Sequence, residues 1–453
     1  AAYDASIVDD PFINLSPYEG YQDRDTLGLT LILDNTLEWA RLDSVTGFRR
    51  TDIASAIDQF GISAQEGLLA NVFGFGLAGT NDVDEASWQF SQEFRLSHQS
   101  DTWFWLMGLF YFHEDVERTE SFNYPPTSLS FQQNQTESLA LFGEASYEFN
   151  NLWSVTAGGR LSWEQKKVEQ AGKAGLLIIS EDYDINAKES WQKFTPRIAL
   201  NFAPTTSVNT YFSLSTGFKS GGFQGQAPTA LAASRPFDEE NALAYELGLK
   251  WQSPDTKSRL LIALFHMAYD DLQVLQLVDD PTDPNDVGLL VTENAADATS
   301  RGVELEYKWQ LNESWGLSGH YAYLDATYDA FISAQGDFSG NRLRNAPEHA
   351  ASLALDFTTH LTSGADLNLT YSHSYKDTRF QDPANIENTA IPSHHVGNLN
   401  VDYHAANANW LLGFWIDNVW DQTYYVHGFP ILGSGIMTVA PDRNAGIRLL
   451  IEF

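Results

Sequence analysis

Cysteine is absent from the 453 residues, so no disulfide framework or thiolate chemistry is available. Positive charge is scarce: 26 Lys and Arg stand against 60 Asp and Glu, a formal net charge of −34. A surface that acidic excludes nucleic acid as a partner, because phosphates require a basic face. No run of 18 apolar residues occurs and mean hydropathy is −0.28, which excludes a transmembrane helix. A β-barrel in lipid escapes that exclusion, since only every second residue must be apolar. Ala1 is not followed by a basic, apolar and small-residue signal, so the sequence reads as a mature form or a fragment.

Aromatic residues are plentiful. Phe 28, Tyr 19 and Trp 13 make 13% of the chain against 19% charged, far too apolar for disorder. Apolar and polar residues alternate with period two in segment after segment. From Trp153, one face carries Val155, Ala157, Gly159, Leu161 and Trp163, and the other Ser154, Thr156, Gly158, Arg160, Ser162 and Glu164. Leu243, Tyr245, Leu247, Leu249 and Trp251 oppose Ala244, Glu246, Gly248 and Lys250. Arg301, Val303, Leu305, Tyr307 and Trp309 oppose Gly302, Glu304, Glu306 and Lys308. A soluble sandwich also alternates. These segments run past ten residues, however, and carry Trp at their ends (Trp153, Trp163, Trp251, Trp309, Trp315, Trp410, Trp420), as lipid-spanning strands with aromatic girdles do.

The connections sort by length. Short polar turns are expected near Asp34–Thr36, Gln99–Asp101, Asn150–Asn151, Pro204–Thr206, Pro254–Thr256, Asn312–Ser314, Thr362–Gly364 and Ala406–Asn407. Long stretches centre near Ala70, Ser121, Ala174, Thr229, Pro284, Gly336, Asn385 and Leu432. Short periplasmic turns alternating with long outer loops are the outer-membrane barrel arrangement. About 17 strands follow, from near Leu27 to Phe453. That odd number, with an outer loop before the first strand, conflicts with the even closure of bacterial barrels and predicts that N-terminal strands are missing.

The stretch from Ser138 onward resembles the barrel of a TonB-dependent receptor. The resemblance rests on "ALFGEASYEFNNLWSVTAGGRLSWE", "FTPRIALNFAPTTSVNTYFSLSTGFKSGGF", "ENALAYELGLKW", "SRGVELEYKW", "GHYAYLDATYD", "RLRNAPEHAASLAL", "WIDNVWDQTYY" and "APDRNAGIRLLIEF", in that order. "SVTGFRRTD" and "SQEFRLSHQSDTWFWLMGLFYF" fit the same pattern upstream. It implies an all-β fold: residues 1–453 as roughly strands 6 to 22 of a 22-stranded transmembrane antiparallel β-barrel, without the plug domain and the first strands. It also implies a Gram-negative outer-membrane receptor that imports a ferric siderophore, or else cobalamin, haem or a glycan, with energy from TonB through an N-terminal TonB box. The siderophore branch fits the wording of the motifs best. Expected partners are TonB, the plug, outer-membrane lipid and the barrel-assembly machinery, which reads a terminal aromatic strand such as "GIRLLIEF" (Ile447, Leu449, Ile451, Phe453). A passive porin is the alternative, and a soluble β-rich binding protein a third.

No catalytic, cofactor or metal residues are expected. "GFKSGGF" (Gly217–Phe223) lacks the spacing of a phosphate loop; its glycines are expected to supply positive φ where the strand leaves the membrane. "DDPTDPND" (Asp279–Asp286) carries four carboxylates without a calcium-loop pattern and reads as a solvated acidic loop. His394, His395 and the other histidines show no ligand spacing, and no Gly-x-Ser-x-Gly or nucleophile–base set occurs. Arg160, Glu164, Arg197, Glu246, Lys250, Glu304, Glu306 and Lys308 must face water or a plug, because in lipid each costs several kcal/mol. The apolar stretch Gly67–Gly79, within a loop drawn from Ile53 to Glu85, is expected to pack on neighbouring loops.

Overall fold

A computed structural model describes residues 2–3, 18–58, 79–175, 179–278, 289–333, 336–406, 409–431 and 434–451. Its main sheet is built from β1 (Tyr21–Thr36), β2 (Arg41–Ile57), β3 (Asn81–Gln99), β4 (Trp103–Phe122), β5 (Ser128–Glu148) and β6 (Trp153–Lys173). It continues with β7 (Tyr183–Thr205), β8 (Val208–Lys219), β9 (Glu240–Gln252), β10 (Ser258–Val278), β11 (Leu289–Gln310) and β12 (Trp315–Ser333). β13 (His349–His360), β14 (Asp366–Lys376), β15 (His394–His404), β16 (Trp410–Asp417) and β17 (Asn444–Ile451) complete it. Every consecutive pair is antiparallel, the only arrangement that short turns allow. Small pieces lie outside this ladder: Ala2–Tyr3, Tyr425–Ile431 and Ser434–Val439 form their own sheet.

The register fixes which way each side chain points, since directly opposed residues share a face. One row runs Leu33, Ser44, Phe94, Leu109, Leu141, Leu161 and Phe194 across β1 to β7. Leu161 is 53% exposed and Phe194 60%. Exposed apolar rows with no protein over them are what a lipid-facing wall looks like. The inverse of a soluble core follows: this face is apolar and uncovered, while charge lines the other.

Two aromatic belts bound the apolar band, the upper one carrying Trp88 against His113 and Phe90 against Tyr111, with ring centroids 4.8 and 6.4 Å apart. At the short-turn end Trp103 packs on Tyr147, Trp153 on Phe202 and Trp315 on Phe357, with ring centroids 4.4, 4.4 and 4.6 Å apart. Each is a directly registered cross-strand pair. The three preceding turns share one device. Asn150 Oδ1 accepts from the backbone N–H of Trp153 at 3.1 Å, Asn312 Oδ1 from that of Trp315 at 3.0 Å, and Ser100 Oγ from that of Trp103 at 3.1 Å. A side chain that satisfies the turn's own N–H and an amphipathic ring two bonds later make [Asn/Ser]-x-x-Trp a membrane-margin turn. The turn at 253–257 is held differently. Hydrogen bonds from the Ser253 hydroxyl and then the Lys257 backbone N–H hold the Asp255 carboxyl below the usual range.

The strands are longer than a bilayer needs. β4, β5, β6 and β7 have 20, 21, 21 and 23 residues, whereas a tilted spanning strand takes about 9–11. The excess projects beyond the upper belt as a wet wall. This corrects one expectation: the stretch near Ser121 is a strand end rather than a long loop, and β4 joins β5 through residues 123–127 alone. β1 begins at Tyr21, not near Leu27, and Ile53–Ile57 and Asn81–Glu85 belong to strands rather than to a loop. Residues 59–78, 279–288 and 452–453 lie outside the described residues, and with them most of Gly67–Gly79, the "DDPTDPND" run and Phe453.

The sheet is not closed. Paired registers run without a break from β1 to β17, and none joins β17 back to β1 among the described residues. All 16 residues of β1 are exposed, as are all but one of the eight of β17, which is the signature of two free edges.

Candidate functional site: the polar inner wall and its mouth

The inner wall holds the residues that alternation assigned to it. Ion pairs and ring contacts knit them across strands, Arg197 to Glu144 at 3.1 Å and Lys250 5.2 Å above the Tyr211 ring, and along one strand, Lys166 to Glu164 at 3.2 Å. Tyr211 donates to Glu246 at 2.5 Å. Arg160 lies 5.3 Å from the Phe110 ring centroid and 5.5 Å from that of Phe142. Glu304, Glu306 and Lys308 follow Gly302 on the same face of β11, opposite Ala322, His320 and Ser318 of β12. Near the short turns, Arg448 grips both carboxylate oxygens of Asp402 at 2.8 and 2.7 Å. A cavity of about 450 Å³ opens there between Lys308, Asp356, Asn368 and Asp402. Acids and bases are interspersed along this wall, with Glu304 and Glu306 successive on one face of β11. Such a wall binds by hydrogen bonds and paired charges, without strong selection of one sign.

Toward the long-loop end, residues 220–239 fold onto the inner face instead of away from it. Gln226 Nε2 donates to both carboxylate oxygens of Glu120 on β4, at 3.1 and 3.0 Å. Gln224 Nε2 donates to the carbonyl of Thr292 on β11 at 2.6 Å, and Gln170 of β6 donates to the Gln224 carbonyl at 2.6 Å. Tyr183 and Ser180 donate to the Ala227 and Pro228 carbonyls at 2.7 and 3.0 Å. Lys166 donates to Ser220 Oγ and the Gly221 carbonyl at 2.9 and 2.7 Å. Glu120 and Gln170, 1% and 2% exposed, are buried under this segment.

The "GFKSGGF" glycines work differently from the expectation. None of Gly217, Gly221 and Gly222 adopts positive φ. A Cβ on Gly221 would collide with the Phe237 carbonyl and the Trp191 indole, so glycine is there for close approach of the returning loop. His394 and His395 point to opposite faces: the first stacks on Tyr424 at 4.7 Å, the second lies 5.3 Å from His373. Among the described residues no group of three or more His, Asp and Glu is placed to hold a metal. The sequence reading missed the inward loop, because its anchors are single glutamines whose partners lie up to 106 residues away.

A family model described as "TonB dependent receptor-like, beta-barrel" matches residues 2–419. The metal-pseudopaline receptor CntO of Pseudomonas aeruginosa is 28% identical over 325 residues, 70% of this chain and 41% of that protein. The pesticin receptor of Yersinia enterocolitica is 22% identical over 360 residues, 77% of this chain and 49% of that protein. The chain therefore spans about half the length of the curated relatives it matches. Among solved structures, the ferric yersiniabactin uptake receptor FyuA from Yersinia pestis superposes with a TM-score of 0.83 at 18% identity, covering 100% of this chain and 65% of that one. The siderophore receptor PiuA from Acinetobacter baumannii gives 0.75 at 18% identity, over 95% and 65%. These relatives are transport receptors rather than enzymes, and members of their family are β-barrels of the Gram-negative outer membrane. With the family model matching most of its length and its strands forming that wall, the chain belongs to the TonB-dependent receptor β-barrel family.

Proposed function

We propose that the chain is the greater part of the barrel of an outer-membrane receptor that imports a ferric siderophore with energy delivered by TonB. The observation that carries it is the polar inner wall combined with two free edges, in a chain of this family. An inner wall of paired charges needs a polar occupant, and a free β1 edge needs further strands. In the complete receptor a plug fills the lumen, and about five more strands follow on the β1 edge. The short turns then lie in the periplasm and the projecting strand ends face the medium. Ligand is held between mouth and plug, and TonB pulls through the plug because the outer membrane holds no ATP. β17, with Ile447, Leu449 and Ile451 on its lipid face, presents the strand that the barrel-assembly machinery receives. Relatives that carry siderophores or metal chelates by name support the ligand class. The porin reading draws no support from them.

The test is uptake of radiolabelled ferric siderophores by a receptor-deficient strain carrying the complete gene, with and without functional TonB. Uptake that stops when TonB is lost is the expected result. Uptake indifferent to TonB overturns the reading.

A further inference from the structure

We propose that the inner face of β12 to β15 is the lane along which a ferric chelate descends past the plug, and that the cavity at its lower end is a second, transient binding site for the chelate's outward oxygens. This rests on the import reading above.

Register defines the lane. Ser318, Ala354, Ser372 and Asn398 lie directly opposite one another in a single row, and Ser352 and Ser374 are paired in the next. Ser352 and Ala354 flank Leu353, which is 53% exposed on the lipid face, so both rows point into the lumen. Between Lys376 above and Asp356 below, the inward positions of β13 and β14 are Ala, Ser and Thr alone, and none carries charge. About 20 Å of β13 separates Ser352 from Thr358, which lines the cavity.

The rest of the wall is built to hold. On β4 to β11 the same face carries Arg160 against the Phe110 and Phe142 rings, Tyr211 on Glu246, and the pair Glu304 and Glu306. Hydrogen bonds to ionised groups are stronger than those between neutral ones. A plug in the lumen is therefore gripped on β4 to β11 and lightly held on β12 to β15, and a pull parts it from the lightly held side first. The mouth agrees with this division. Hydrogen bonds join the segment 220–239 to β4, β6, β7, β10 and β11, and among the described residues none joins it to β12, β13, β14 or β15.

The lower end supplies the recognition chemistry. The cavity of about 450 Å³ between Lys308, Asp356, Asn368 and Asp402 falls within the size of small-ligand sites. Both carboxylates are engaged: Thr370 donates to Asp356 at 2.8 Å and Arg448 to Asp402 at 2.7 Å. What remains to face an occupant is the Lys308 ammonium with the Ser318 hydroxyl and the Asn368 amide. Donors of that kind suit the acceptor oxygens on the outside of a ferric hydroxamate or carboxylate chelate. Neutral hydroxyls along the lane hold each pose weakly, and weak binding at successive positions is what passage requires.

The test uses the complete receptor in cells with and without functional TonB. No cysteine occurs in the 453 residues, so Ser372→Cys and Ser213→Cys each place one thiol in this wall by exchanging oxygen for sulfur. Ser213 faces the lumen from β8, opposite Glu246 on the gripping side. With an impermeant maleimide added outside, Ser372→Cys is expected to label when TonB is functional and to stay unlabelled without it. Ser213→Cys is expected to stay unlabelled in both strains. Ser372→Trp is expected to abolish uptake of radiolabelled ferrichrome or ferrioxamine B, whichever wild type accumulates, while binding to chilled cells is kept; Ser372→Ala keeps both. Labelling of the two positions alike, no TonB-dependent labelling at Ser372, or full uptake by Ser372→Trp overturns the proposal. Wild-type uptake indifferent to TonB is a failure of the import reading and is read separately, whereas labelling on the wrong side fails the lane alone.

Discussion

Leu412, the third residue of β16, has its side chain exposed beside Phe414 and opposite Leu449 on the lipid face. Placing a guanidinium there forces charge into hydrocarbon. Leu412→Arg is therefore expected to destabilise the assembled barrel by about 1–2 kcal/mol, between the cost at the midplane and that at the interface. Thr156 faces the lumen, its hydroxyl 2.7 Å from that of Ser146 on the neighbouring strand. Thr156→Arg gives up that one contact, about 0.5–1.5 kcal/mol, and places its charge in water. Reversible unfolding of the complete protein in lipid vesicles compares the two. Equal losses would dissolve the inside–outside assignment. A single residue here is decided by its parity along a strand, not by its hydrophobicity.

At the scale of the element, the turns carry the next expectation. Asn312→Ala removes an acceptor that the Ser314 and Trp315 N–H groups share, at 2.9 and 3.0 Å. Those groups can turn to water, so the cost is modest, about 0.5–1.5 kcal/mol. Asn150→Ala should behave alike, since its side chain accepts from Leu152 and Trp153 in the same way. Chemical denaturation of each variant is the measurement, and a loss confined to one of the two would break the common motif. Strand faces such as Leu243 to Trp251 were legible in the sequence because lipid on one side and water on the other impose period two. The ends of β4 to β7 were not, because beyond the upper belt both faces are wet. Gln132, Gln133, Asn134 and Gln135 of β5 form a full ladder with β6 although no apolar residue interrupts them. Backbone pairing persists there while the side-chain signal disappears. The inward loop was illegible for a different reason: glutamine anchors look the same in a solvated loop and in a docked one.

For the whole molecule, the alternation of connections makes a prediction about sides. Cysteine placed at Gly336 in the complete protein should be labelled on whole cells by an impermeant thiol reagent, and cysteine at Asn312 should not. Equal labelling would reverse or abolish the orientation. The free edges make another. The 453-residue chain alone should neither give a heat-resistant barrel on gels nor support uptake, whereas the complete gene should do both. An uncovered strand in lipid leaves backbone groups unpaired at several kcal/mol each. β1 and β17 also differ twofold in length, 16 residues against eight, so one cannot serve as the full partner of the other. A sealed barrel from the chain alone would refute this. The segment from 220 to 239 then acquires a meaning of its own. Tied to β4 through Glu120 and to β11 through Thr292, it spans the inner face of the six intervening strands like a brace across an arch. Strand number sets the girth of such a wall, but a brace ties its far sides together: β4 and β11 cannot part until the hydrogen bonds of Gln224, Gln226, Gln170, Tyr183, Ser180 and Lys166 that hold this segment have broken.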